Sequence, residues 1–200
     1  VFYLLQMRPM SVGGDPFDVE VSPGDVDNAL CYSTQALGHG KYDRISDIVY
    51  IKPDAFDPAR TREMAREVSA VNATLKAQSV DARFLLIGPG RWGSFDPWLG
   101  IPVKWDDIDR VGAIIELRDA SLKADASQGS HFFQHITTHA IPYLTISQDT
   151  QDRIHWDRIR RLPILTDATY ISHVRLTQPL QIKCDGRTSQ CVILEQDISK

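Results

Sequence analysis

No stretch of this 200-residue sequence holds the roughly 20 consecutive apolar residues that span a bilayer, so no membrane-crossing helix is expected. A basic excess is missing too. Lys and Arg number 22 against 26 Asp and Glu, a net charge of −4, which argues against a nucleic-acid or anionic-membrane surface. The basic residues are dispersed except at Arg158, Arg160 and Arg161. Cysteine is scarce: Cys31, Cys184 and Cys191 form no Cys-x-x-Cys pair, and their odd number offers no disulfide framework. A reducing, cytoplasmic setting is therefore expected. There is no hydrolase triad signature, metalloprotease motif, internal repeat or low-complexity segment.

What is present reads as α/β: a mixed β-sheet with flanking helices and an antiparallel hairpin tail. Residues 1–10 look like a strand and 11–28 like a linker, carrying Gly13-Gly14-Asp15-Pro16 and Ser22-Pro23-Gly24-Asp25. Residues 29–200 form the C-terminal α/β domain. Within it, strands are expected at 29–36 and 47–52, separated by a Gly38-His39-Gly40 turn. Asp57 and Pro58 then open a helix as N-cap and first position. Met64, Val68, Val71 and Leu75 recur at helical spacing, so that helix lays one stripe on the sheet. Its other face, Arg60, Arg62, Glu63, Arg66 and Glu67, reads as solvated. Further strands are expected at 84–87, 113–117, 143–146, 170–176, 180–184 and 191–195, with a helix at 130–139 and a hairpin turn at Asp185-Gly186.

The richest stretch is Arg83 to Trp105, RFLLIGPGRWGSFDPWLGIPVKW. An apolar strand runs into Gly88-Pro89-Gly90 and then a guanidinium, Arg91. Closely spaced backbone N–H groups at Gly90, Gly93 and Ser94, beside a permanently charged fork, suit a phosphate or carboxylate. Asp96 is placed to orient Arg91 or hold a cation. The alternative is a Gly/Pro turn with Arg91 on an internal carboxylate and Trp92 and Trp98 capping the core.

Phe2-Tyr3-Leu4-Leu5-Gln6-Met7-Arg8-Pro9 resembles the closing strand of the ATP-grasp nucleotide-binding domain of phosphoenolpyruvate synthase and pyruvate phosphate dikinase. The resemblance implies that Gln6 and Arg8 face the phosphates of ATP and its magnesium, and that most of the ATP-grasp domain precedes this chain. Period-two alternation puts Gln6 and Arg8 on one face of that strand. The remaining chain, with GPGRWGSFDPWLGIPVKW and Ser127-Gln128-Gly129-Ser130-His131-Phe132-Phe133-Gln134, looks like the C-terminal region of bacterial proteins of that phosphoenolpyruvate synthase-like kind.

In that family a swivelling β/β/α domain carries phosphate on a histidine at a Gly-Gly-x-Thr-Ser-His turn, with Ile-Pro and a strand about nine residues on. Here Gly129-Ser130-His131 is followed by Phe132 to Ala140 and then Ile141-Pro142-Tyr143-Leu144. The resemblance thus makes His131 the candidate phosphoryl carrier, in a divergent version of that domain. A phosphate there would sit at a helix N-terminus, where unpaired N–H groups stabilise it. This chain departs from the pattern at Gln128, at Ser130 and at Phe132-Phe133, and in the length of 119–125. Two other readings stay open: His131, His135 and His139 share one helical face at metal-binding spacing, or they are simply polar-face residues.

The implied activity is the C-terminal part of an ATP-dependent phosphotransferase with a small anionic ligand, phosphate, phosphoenolpyruvate or pyruvate. The piece alone is expected to be inactive and to hold no cofactor or metal tightly. A non-catalytic ligand-sensing module attached to an ATP-grasp domain is the alternative.

Overall fold

Four apolar segments, each buried on both faces, set the architecture. The computed structural model describes residues 19–96, 98–118, 131–147 and 149–196, and the expectations for 1–10 lie outside them. The chain opens with α1 (Pro23–Asn28), then β1 (Cys31–Ser33), β2 (Gln35–Leu37), β3 (Gly40–Ile51), α2 (Thr61–Gln78) and β4 (Phe84–Pro89). After β5 (Arg91–Trp92) and β6 (Gly100–Ile101) come β7 (Val111–Arg118), α3 (His131–Thr138) and β8 (Tyr143–Ser147). The last part holds β9 (Arg153–Ile154), α4 (Trp156–Ile159), β10 (Ile164–Asp167), β11 (Ile171–Asp185) and β12 (Gln190–Leu194).

β3, β4, β7 and β8 lie side by side in chain order, and each neighbouring pair is parallel. Alternation then assigns the side chains. Ile48, Tyr50, Leu85, Ile87, Ala113, Ile115, Leu144 and Ile146 enter one core, whereas Val49, Ile51, Phe84, Leu86, Ile114 and Tyr143 enter a second. Met64, Val68, Val71 and Leu75 of α2 cover the second core, as their spacing predicts. Burying each such side chain contributes about 1.5–3 kcal/mol.

The sheet closes on itself. β11 pairs antiparallel with β3 and β12, β12 pairs with β1, and β2 pairs with β8. Since β1 and β2 are separated by Thr34 alone, this one segment joins the two ends of the strand order, and the first core fills the interior. The sequence reads 29–36 as one strand. It splits because Asp152 takes both the N–H and the hydroxyl of Thr34, at 2.7 and 2.8 Å. The two strands expected at 170–176 and 180–184 are instead one, β11, whose register shifts between Arg175 and Leu180. Pro179, which has no N–H for the ladder, lies at that shift.

Residues 23–28, expected as linker, are helical. Ser22 and Asp25 form a reciprocal capping box with Pro23 in the first turn, and Asp25 also receives Lys183 Nζ at 2.7 Å. Val21 and Val26 pack with Tyr32 and Val192, so this segment is part of the domain. Glu67 is not a solvated residue either. Its Oε2 accepts the N–H groups of Tyr170 and Ile171 at 2.9 and 3.2 Å, tying α2 to the start of β11. Asp57 caps a 3-10 turn at Pro58–Arg60 rather than α2 itself, which begins at Thr61. Cys184 and Cys191 face each other across β11 and β12 and form a disulfide, where the sequence offered no pairing. Cys31 stays free and buried, and burial holds its thiol far above the ordinary range. No helix among the described residues is long and apolar enough to cross a membrane.

Between β3 and β11, the buried Asp47 Oδ1 accepts from Arg175 Nε at 2.8 Å and lies 2.7 Å from His173 Nε2. Burial alone would raise its carboxyl, but hydrogen bonds and charge from His173 and Arg175 outweigh this and hold it below the ordinary carboxylate value. A lowered carboxylate stabilises the fold above its unfolded-state value, and that stability is lost as pH falls through the folded-state value. Asp47→Asn should destabilise the protein by about 2 kcal/mol near neutrality, with Arg175 partly exposed and worth less than a buried partner. The gap from the parent should narrow below about pH 4, read by urea unfolding at several pH values.

Candidate functional site

The Arg91 loop stands at the C-terminal ends of β4, β7 and β8, the edge where parallel sheets hold ligands. Gly88 makes its geometry feasible, because a Cβ there would sit 2.4 Å from Trp92 Cζ2. Trp92 therefore lies flat on the end of β4, with its Nε1 donating to Ile115 O at 3.3 Å. The short pair β5–β6 then closes the loop in parallel. Trp92 is buried, as the core-capping reading has it, but Trp98 is not: it and Phe95 are 73% and 85% exposed at the loop tip.

The N–H groups of Gly90 to Gly93 are committed within the chain. Gly90 N–H donates to Leu117 O at 3.0 Å, Arg91 N–H to Leu99 O at 2.7 Å, and Gly93 N–H to Ile101 O at 2.8 Å. Trp92 N–H donates to Glu116 Oε1 at 3.1 Å. Ser94 and Asp96 shape the turn rather than face a ligand: Ser94 Oγ donates to Asp96 O, and Asp96 Oδ1 accepts from Trp98 N–H at 3.0 Å. An N–H cradle over Gly90 to Ser94, which the sequence suggests, is thus replaced by a hydrogen-bonded β-turn structure. What remains for an anion is the guanidinium.

Two guanidinium groups are available, and the second was not foreseen. Arg91 and Arg118 are half-buried, and the Nε of each is shielded from water with no hydrogen-bond partner among the described residues. Both bear electrostatically on Glu116, which is 1% exposed at the end of β7. Glu116 Oε1 also accepts from the hydroxyl of Tyr143 on β8. Burial pushes the Glu116 carboxyl above its ordinary value of 4.5, and the hydrogen bonds from Tyr143 and Trp92 with the charges of Arg118 and Arg91 hold it back only in part. Burial and the neighbouring Glu116 raise the Tyr143 phenol as well. The sequence does carry a signal for Glu116, an acid inside the apolar run Ala113 to Leu117. Its partners, from β5 and β8, are set by tertiary pairing and are not legible locally.

α3 meets this site at its first turn. Gly93, at φ +82°, leaves room for Phe132, whose Cγ would lie 2.8 Å from a Cβ at that position. His131 is the first residue of α3, so its backbone adjoins the Arg91 loop, while its side chain and the residues 119–130 before it lie outside the description. Gln6 and Arg8 lie outside it too. His135 and His139 lie parallel to the Trp105 indole, with ring centroids 5.0 and 5.1 Å away. Among the described residues no group of three or more metal-ligating side chains occurs. The basic cluster at Arg158, Arg160 and Arg161 turns inward at Arg158, which pairs with Glu195 and donates to Asn28 O and Ala29 O.

A buried carboxylate beside two arginines makes anion affinity pH-dependent. As pH falls through the raised Glu116 value its negative charge is lost, and the two guanidinium groups then face an anion unopposed. Sulfate, whose charge does not change across this range, should bind more tightly as pH falls from neutrality. Glu116→Gln keeps an oxygen acceptor for Trp92 and Tyr143, so it should bind sulfate several-fold more tightly at neutral pH and lose the pH dependence, read calorimetrically. The same substitution should remove a stability loss that sets in as pH rises through the Glu116 value. No family model matches this chain, and no curated protein and no solved structure matches it.

Proposed function

We propose that this chain is the C-terminal part of an ATP-dependent phosphotransferase of the phosphoenolpyruvate synthase and pyruvate phosphate dikinase type. Arg91 and Arg118 bind a phosphoryl or carboxylate group, and His131 is the carrier. One observation supports this above the others: two guanidinium groups whose Nε has no hydrogen-bond partner among the described residues both act electrostatically on Glu116, and the first turn of α3 packs on the same loop through Phe132 and Gly93. In-line phosphoryl transfer depends mostly on positioning and charge neutralisation, which arginines and a helix N-terminus supply. In such a step a P–N bond to the imidazole forms as the bond to the leaving oxygen breaks. The reverse step delivers the group to an acceptor oxygen.

ATP and magnesium belong, on this reading, to the ATP-grasp domain that Gln6 and Arg8 would complete. Among the described residues no group of three or more metal-ligating side chains occurs, and magnesium would be held in that ATP-grasp domain. The anionic partner is phosphate, phosphoenolpyruvate or pyruvate; the cytoplasmic setting rests on the scarcity of cysteine, and the Cys184–Cys191 disulfide weighs against it. Net charge argues against nucleic acid as a partner.

One feature favours the second reading, a ligand-sensing module without catalysis. Phe132 is wedged against Gly93, so α3 is pinned to the loop where the family has small alanines. A ligand that moves Arg91 would then move α3. Phosphohistidine mapping of the full-length protein after exposure to ATP-magnesium or phosphoenolpyruvate separates the two. Label on His131, abolished in a folded His131→Ala variant, is the outcome the phosphotransferase reading predicts. Unlabelled protein that still binds phosphate is the outcome of the sensing reading. Under both, Arg91→Ala should weaken phosphate binding by about 1.5–3 kcal/mol.

A further inference from the structure

A second cationic site lies at the opposite end of the parallel strands. A cavity of about 680 Å³ opens where β3, β7 and β8 begin, within the usual size range for a small-molecule site. Lys41, Arg44, Arg83 and Arg110 line it, with Trp105 and His139 forming a flat wall. Only two carboxylates, Asp43 and Asp109, share the lining. Asp109 is already engaged by Lys76 Nζ at 2.5 Å and Asn72 Nδ2 at 2.9 Å.

Two of the cations are held together against their mutual repulsion. Arg83 Nη1 and Arg110 Nη1 both donate to the same oxygen, Val80 O, at 3.0 and 2.6 Å. Arg83 has no carboxylate within ion-pair distance among the described residues, and Arg110 has only Asp109, at 3.9 Å from its Nε. That Nε is shielded from water and has no hydrogen-bond partner among the described residues. Lys41 and Arg44, both exposed on β3, likewise lack an ion pair among the described residues. Gly112 keeps the floor clear: it is skipped in the register between β4 and β7, and a Cβ there would come 2.8 Å from Ile45 Cδ1 and 3.1 Å from the stem of Arg83. Like charges fixed this closely favour a multiply charged anion over a single carboxylate, since each added negative charge meets another cation.

We propose that this cavity binds a compact polyanion, a polyphosphate or a polycarboxylate, independently of the Arg91 site. The 200-residue chain titrated with inorganic pyrophosphate, and separately with citrate, tests this by calorimetry at fixed ionic strength. Saturable binding of either is expected, and the tighter of the two assigns the phosphate or the carboxylate class. Arg44→Glu and Lys41→Glu, both at exposed positions where folding should survive, should each weaken it about tenfold or more. In Arg91→Ala, where the Arg91 site no longer contributes to the isotherm, this binding event should remain. Absence of saturable binding by both probes would overturn the proposal. So would binding that persists in both charge reversals, or that disappears in Arg91→Ala while surviving in Arg44→Glu.

Discussion

The change of partner at Thr34 is the constraint on which the rest of this fold depends. One seven-residue segment gives its first half to β12 and its second half to β8, and Asp152 holds the break by taking the Thr34 N–H and hydroxyl. Ser33 reinforces it by donating to Thr145 O at 2.5 Å. The closure leaves no free edge on β8 or β12 and seals an apolar interior. It also fixes the ends of four parallel strands in space. Every polar group of interest stands at one of those two ends.

At the C-terminal end, the chemistry turns on a conflict. Glu116 is carried into the second core by strict alternation on β7, and a buried charge is unfavourable there. Trp92 N–H, the Tyr143 hydroxyl and two guanidinium charges offset that cost without eliminating it, so the carboxyl remains raised. A glutamate in this state can withdraw its negative charge from the field around Arg91 and Arg118 by taking up a proton. An apolar residue would satisfy the alternation but would leave the buried Trp92 N–H and Tyr143 hydroxyl without their acceptor. At the opposite end the conflict has the other sign: Arg83 and Arg110 crowd one carbonyl with few negative charges nearby.

Much of the frame was legible from local pattern. The apolar run between Asp47 and Lys52 and the helical spacing of Met64, Val68, Val71 and Leu75 need only the pattern of their own element. Asp185-Gly186 marked its hairpin for the same reason. Several misreadings turn on partners that the local pattern does not reveal. Glu67 appears solvated until its acceptor role, 103 residues later at Tyr170, is known. Cys184 and Cys191 are an unpaired couple in an odd set until strand register sets them opposite one another. The Arg91 loop was legible as a feature, yet its N–H groups were not available, because β5–β6 pairing and Leu117 had already taken them. Arg118 and Tyr143 carried no local mark at all.

The central claim is that Arg91 and Arg118 act as one anion site governed by Glu116. The guanidinium Nε–H signals of the arginines, followed by NMR during a sulfate titration near neutral pH, test it most directly. The account predicts that the Arg91 and Arg118 signals move together along a single saturable curve, and that the curve tightens in Glu116→Gln. It would be contradicted if those two signals stayed still at saturating sulfate, or if they followed different curves unaffected by that substitution.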